Sequence, residues 1–237
     1  MKNFLRSYFT MLIAMFSFLY TPSVNAQRAQ PEAYVVEGKT KITFYYDANR
    51  ASRKGKVWSI TDTRVATDEN EGDNEEENAT RAAAENKPRI PAWAGTESDA
   101  KDDITQVVFD ASFKNYRPTS TKQWFFHLAG IEKIKGLENL NTEEVTNMSE
   151  MFLGGEGFET LDLQNFNTSK VTNMSGMFKD CLGLTSLDLQ HFDTQNVTDM
   201  SWMFTDCKAL TSLDLQHFNT QNVTDMGWMF SGCAALT

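Results

Sequence analysis

The stretch Leu184–Ala209 reads LTSLDLQHFDTQNVTDMSWMFTDCKA, and its columns recur through the second half of the chain. Val145, Val171, Val197 and Val223 stand 26 residues apart, as do Met148, Met174, Met200 and Met226. Met151, Met177, Met203 and Met229 keep the same step, and so do Phe152, Phe178, Phe204 and Phe230. Leu161/Leu187/Leu213, Leu163/Leu189/Leu215, Phe166/Phe192/Phe218 and Cys181/Cys207/Cys233 complete the pattern. A fixed period with this many matched columns marks a repeat array, in which no unit buries its apolar side alone and neighbours must stack.

Within one unit, Leu184 to Phe192 fits L-x-x-L-x-L-x-x-F, with Phe where a leucine-rich repeat usually has Asn or Cys. Alternation at Leu187 and Leu189 predicts a short strand with those side chains inward. Asp193-Thr194-Gln195-Asn196 is turn chemistry. Val197, Met200, Met203, Phe204 and Cys207 then recur at spacings of three and four, which predicts about two turns of helix capped by Asp199 or Ser201. The fold class expected is therefore α/β: a leucine-rich-repeat solenoid of short parallel strands and short helices, with a β-rich N-terminal and cap region.

Outward from the repeats, five segments are expected. Residues 1–26 have a basic start at Lys2 and Arg6, an apolar run from Tyr8 to Tyr20 and small residues at Val24-Asn25-Ala26. This reads as a signal peptide, too short to span a bilayer, so the mature chain starts near Gln27. Residues 27–65 are β-rich, with Lys41–Tyr46 and Lys56–Ile60 predicted to pair as a hairpin around Asp47–Gly55. Residues 66–101 are read as an acidic, disordered insertion; Asp68–Glu77 holds seven acidic residues in ten but lacks the ligand order of an EF-hand. Residues 102–136, rich in aromatics, share none of the 26-residue columns cleanly and are expected to cap the array. Residues 137–237 are the array, ending mid-repeat at Leu236-Thr237. Its first unit is degraded, with Leu137 and Leu140 in the places of Leu163 and Phe166, and Gly155 in place of the cysteine.

The chain has 237 residues and net charge −10. The array carries nearly all of the excess, 14 acidic against 3 basic residues from Leu137 onward. Nucleic acid is a poor partner for such a surface, and basic patches or divalent ions are favoured. Three cysteines cannot staple a domain of this size, and as an odd number on an apolar stripe they read as buried free thiols. Zinc is not expected without a Cys-x-x-Cys, and no nucleophile elbow or phosphate-binding glycine loop is present. No catalytic residue, metal ligand or cofactor is assigned, and the chain is not read as an enzyme.

The candidate site is the outward side of the repeated strand. Thr160, Asp162 and Gln164, then Ser186, Asp188 and Gln190, then Ser212, Asp214 and Gln216 would stand in three columns, forming a polar, acidic face for a protein partner. Trp202 and Trp228 share a column with Glu150 and Gly176, so they are expected near the surface, either as contact points or stacked on each other.

The unit S-L-D-L-Q-x-F-x-T-x-x-V-T-x-M-x-x-M-F-x-x-C-x-x-L resembles the BspA-like leucine-rich repeat surface proteins, and the match runs from about Leu137 to Thr237. VVFDASFKNYRPTSTKQWF and KITFYYDANRAS resemble that family's opening segments. The resemblance implies an exported protein, secreted or displayed on the bacterial cell surface, that adheres to host matrix proteins or to other bacteria. It supplies no catalytic residues and no cofactor. Two other functions are open at this stage: a spacer displaying a missing C-terminal domain, and carbohydrate binding through the Trp pair.

Overall fold

The computed structural model describes residues 29–65, 89–96 and 98–237. The predicted signal peptide and residues 66–88 of the segment read as a disordered insertion, Asp68–Glu77 among them, lie outside them; the end of that segment is corrected, because Arg89–Pro91 is a strand and Trp93 is fully buried. The described fold belongs to the compact unit Pro31–Thr237.

The N-terminal part is a five-stranded mixed sheet. Its strands are β1 (Glu32–Glu37), β2 (Lys41–Asp47), β3 (Lys56–Ser59), β6 (Gln106–Phe109) and β7 (Lys133–Lys135), in the order β3-β1-β2-β6-β7. β4 (Thr63–Val65) and β5 (Arg89–Pro91) form a separate antiparallel pair. The predicted hairpin pairing is corrected here. β2 turns back onto β1 through a tight turn in which Gly38 N donates to Lys41 O, and β3 pairs with the far edge of β1. β1 thus lies between the two strands that were expected to be partners. β6 and β7 join in parallel, with Phe44 opposite Phe109 and Val107 opposite Ile134. The buried Phe44, Phe109, Phe113, Trp124 and Phe125 pack ring against ring on this sheet, Phe44 and Phe109 with centroids 4.6 Å apart.

The expected α/β leucine-rich-repeat solenoid is overturned. Among the described residues there is no α-helix, and the helical turns are the short 3-10 segments Arg50–Ser52, Ala111–Asn115 and Leu137–Asn139. The segment predicted as a helix, Val197 to Cys207, is a run of turns. Its predicted inward residues Val197, Met200, Met203, Phe204 and Cys207 are nonetheless all buried. The backbone explains both facts. Trp202 and Asp206 sit at φ 57° and 55°, as do Gly176 and Asp180 one repeat earlier, at 58° each. A left-handed residue every fourth position breaks the run of hydrogen bonds that an α-helix needs.

The amides freed in this way bond to the next repeat. Met174, Gly176, Phe178 and Asp180 donate to the carbonyls of Asp199, Ser201, Met203 and Thr205 at 2.8–2.9 Å. Met200, Trp202, Phe204 and Asp206 repeat the pattern onto Asp225, Gly227, Met229 and Ser231. The intervening amides close local turns, as where Met177 N donates to Met174 O. Layers therefore stack directly, and Phe152, Phe178, Phe204 and Phe230 stand ring over ring at 5.6 Å. Buried threonines pin the layers on another side: Thr194 Oγ1 donates to Asn219 O and accepts from Asn219 N.

The array starts earlier than its 26-residue columns suggest. Thr121, Gln123, Phe125 and His127 donate to Asn147, Ser149, Met151 and Leu153, and Phe125 stacks on Phe152 at 5.1 Å. The step into this first layer is 27 residues, which hid it from a fixed-period comparison. The gap in the cysteine column also has a packing cause. Phe158 takes the place of Leu184, and a Cβ on Gly155 would lie 2.6 Å from its ring.

Two substitutions test this backbone. Asp180→Val should destabilise by about 1–2 kcal/mol, because a β-branched residue resists φ 58°, while Asp180→Gly should hold or raise stability by about 0.5–1 kcal/mol. Thr121 occupies the Met148 column, and its buried Oγ1 has no hydrogen-bond partner among the described residues. Thr121→Val should therefore stabilise by about 1 kcal/mol in urea denaturation.

Candidate functional site: the outward strand face

The three predicted polar triads come out as alternation demands. Thr160, Asp162 and Gln164 are exposed while Leu161 and Leu163 between them are buried, and Ser186, Asp188 and Gln190 repeat this around Leu187 and Leu189. Ser212, Asp214 and Gln216 are exposed around the partly buried Leu213 and Leu215. β8 (Thr160–Leu161) and β9 (Ser186–Leu187) pair in parallel, setting Thr160 beside Ser186 and Leu161 beside Leu187. The strands are only two residues long, and the aspartates account for it. Asp162 Oδ1 accepts from Gln164 N at 3.2 Å, Asp188 Oδ1 from Gln190 N at 3.0 Å and Asp214 Oδ1 from Gln216 N at 3.0 Å. Each carboxylate closes its own Asx turn and stops the strand. The acidic column is thus fixed in place by local backbone bonds and still faces solvent.

Two hollows mark this face. One, of about 520 Å³, lies between β7 and β8 and reaches Thr160 and Asp162. The other, of about 280 Å³, lies between the layers of Asp188 and Asp214. Among the described residues no cluster of three or more His, Cys, Asp or Glu has the geometry to hold a metal ion.

Trp202 and Trp228 are exposed, 49% and 70% respectively, and both occupy left-handed turn positions. Lys179 Nζ lies 5.8 Å from the centroid of the Trp202 ring. Among the described residues no ring contact joins the two indoles, so the stacked alternative for this pair is not what the structure holds. Met226 and Phe230 of the same last layer are also exposed, in columns that are buried elsewhere.

The cysteine column is a row of free thiols, with Cys181 and Cys207 buried and Cys233 partly so. Each Sγ donates to a carbonyl of the preceding layer, Cys181 to Phe152, Cys207 to Phe178 and Cys233 to Phe204. Burial, and then the neighbouring Cys233 thiol, push Cys207 up to about 12 from an ordinary 9.0. Cys181 is raised well above that ordinary value by burial first, and Cys233 is raised by the same cause. Native Cys181 and Cys207 should therefore resist a thiolate-directed reagent at pH 8, while Cys233 reacts slowly and all three react fast in denaturant. The folded chain holds these protons more tightly than the unfolded chain. Stability should thus be unaffected by them below about pH 8 and fall as pH rises from about 9 towards 12, as denaturation midpoints across that range would read.

Among the described residues no helix is long and apolar enough to cross a membrane. No curated protein and no solved structure matches the chain. A family profile described as "Mycoplasma protein of unknown function, DUF285" matches residues 119–237. Its first matched residue, Thr119, immediately precedes the layer that opens at Ser120, so the profile covers the stacked array from its first layer onward. The chain belongs to that family, the Mycoplasma proteins of unknown function, DUF285.

Proposed function

We propose that the chain is a secreted or surface-displayed protein-binding module that adheres to host or bacterial surface proteins through the outward strand face. The observation that carries this reading is the exposure of all nine polar residues, in three columns, over an apolar interior. Two further features support it. The aspartates are held by their own turns, so a partner meets a preorganised row of charge and little ordering entropy is lost on contact. The excess of acid over base along the array favours a basic partner surface and fast encounter at low salt.

Asn in place of Asp keeps the Asx-turn acceptor and removes only the charge. The triple variant Asp162→Asn, Asp188→Asn, Asp214→Asn should therefore fold normally and lose about tenfold in binding to immobilised matrix proteins or whole bacterial cells at low salt. Binding unchanged by the triple variant removes this face from the interaction.

The exposed Trp202 and Trp228 favour a second reading, carbohydrate binding by ring stacking. Glycan-array signal that disappears in Trp202→Ala, Trp228→Ala would establish it, and a blank array would dismiss it.

A further inference from the structure

The parallel pairing on the strand side is interrupted between two paired edges. β6 pairs with β7 and β8 pairs with β9, yet β7 and β8 belong to different sheets. Among the described residues no backbone hydrogen bond joins Lys133–Lys135 to Thr160–Leu161. A strand points half of its amides and carbonyls to each side, so β7 and β8 each keep one unpaired edge towards the other. On the strand side the layers also part between β9 and Ser212–Leu213, where the hollow is smaller, about 280 Å³, and only one of the two edges belongs to a paired strand. Just upstream of β8, Gly157 N donates to Ala129 O at 3.0 Å, and Phe125 stacks on Phe152.

The opening is the 520 Å³ hollow, within the size range of sites that enclose small ligands. Ile134, Leu137, Phe158 and Leu161 supply apolar lining, and the last three are buried. Glu132, Glu138 and Asp162 supply three exposed carboxylates to the hollow against the ammonium of Lys133, with the exposed Lys135 further along the same strand. None of the four charged groups lining the hollow is in an ion pair among the described residues. Apolar lining, acidic side chains and two unpaired strand edges together define one kind of occupant.

We propose that the opening between β7 and β8 accepts an extended peptide segment of a partner protein, with alternating apolar and basic residues, as an added strand. The inference rests on the protein-binding reading and deepens it by naming the occupant. Main-chain bonds to the free edges hold the segment, and alternation decides which segments fit. One side of the added strand meets Leu137, Phe158 and Leu161. The other carries ammonium or guanidinium groups to Glu132, Glu138 and Asp162. A segment with acidic residues at those positions is rejected by like charge.

The test uses the full chain and three fluorescent octapeptides: alternating valine and lysine, alternating valine and glutamate, and the valine–lysine peptide N-methylated at every second amide. Fluorescence anisotropy should show the valine–lysine peptide binding at least about tenfold more tightly than either of the others. Glu132→Lys, Glu138→Lys changes exposed side chains alone and should reverse the preference between lysine and glutamate peptides. Amides of Lys133–Lys135 and Thr160–Leu161 should gain hydrogen-exchange protection when the valine–lysine peptide is added. Absence of binding, or binding indifferent to N-methylation and to the charge reversal, overturns the inference. Should matrix or cell binding still depend on Asp188 and Asp214 in that case, the face reading stands and only the strand-addition inference fails. If that dependence is absent too, both fail.

Discussion

The structure depends on one backbone constraint: a left-handed residue at every fourth position along the turn side of each repeat. At Glu150 and Gly154, Gly176 and Asp180, Trp202 and Asp206, φ is positive, between 55° and 71°. A non-glycine residue there costs about 1–2 kcal/mol. What offsets it is a hydrogen bond to the next layer from the amide of each such residue and of the residues two positions away. Met148, Glu150, Phe152 and Gly154 all donate towards the Asn173–Lys179 layer. Four bonds per interface, repeated four times, tie the repeats together where the two-residue strands could not. The phenylalanine column follows from this register, because equivalent Cα atoms are held one above the next and the rings have no choice but to stack.

That constraint also explains what the sequence discloses and what it hides. Inward columns are legible because burial depends only on which side chains share a side of the layer, and Val197, Met200, Met203, Phe204 and Cys207 are all buried as read. Their spacing of three and four does not distinguish a helix from turns that alternate right- and left-handed residues, since both return a side chain inward at that interval. The discriminating signal is modest but present. Glycine stands at 154, 176 and 232, in one column at the middle of the predicted helix and one at its last turn, and a left-handed position is one reason to find it there. Trp202 and Trp228 in the same column carry no such hint. Periodic strand patterns likewise reveal faces but not neighbours, so the insertion of β1 between β2 and β3 was not visible in alternation alone.

The candidate face was more legible than the fold class because it needed less. Asp162, Asp188 and Asp214 alternate with leucines, and alternation sets them outward whatever the neighbouring segment does. Their Asx turns were not read from the sequence, although Asp two residues before a polar residue in a loop is ordinary turn chemistry. The opening between β7 and β8 was out of reach for a different reason. Matched columns say which side chains are equivalent and not whether neighbouring strands bond, so a gap between β7 and β8 leaves no trace in a 26-residue comparison.

Stacking of this kind gives the array a direction. In each layer the freed amides point towards the following layer and the matching carbonyls towards the preceding one, so the two ends are chemically unlike. Two of the first layer's matching carbonyls are met by donors from outside the repeats, Trp124 O by Trp93 Nε1 and Phe126 O by Gly95 N, and Lys101 N bonds the adjoining His127 O. Trp93, Gly95 and Lys101 therefore cap the array chemically as well as sterically. At the other end the amides of Met226, Trp228, Phe230 and Gly232 face outward with no acceptor among the described residues. In the inner layers the equivalent amides are each met by a carbonyl of the following repeat, so acceptors in that register are what these four amides fit.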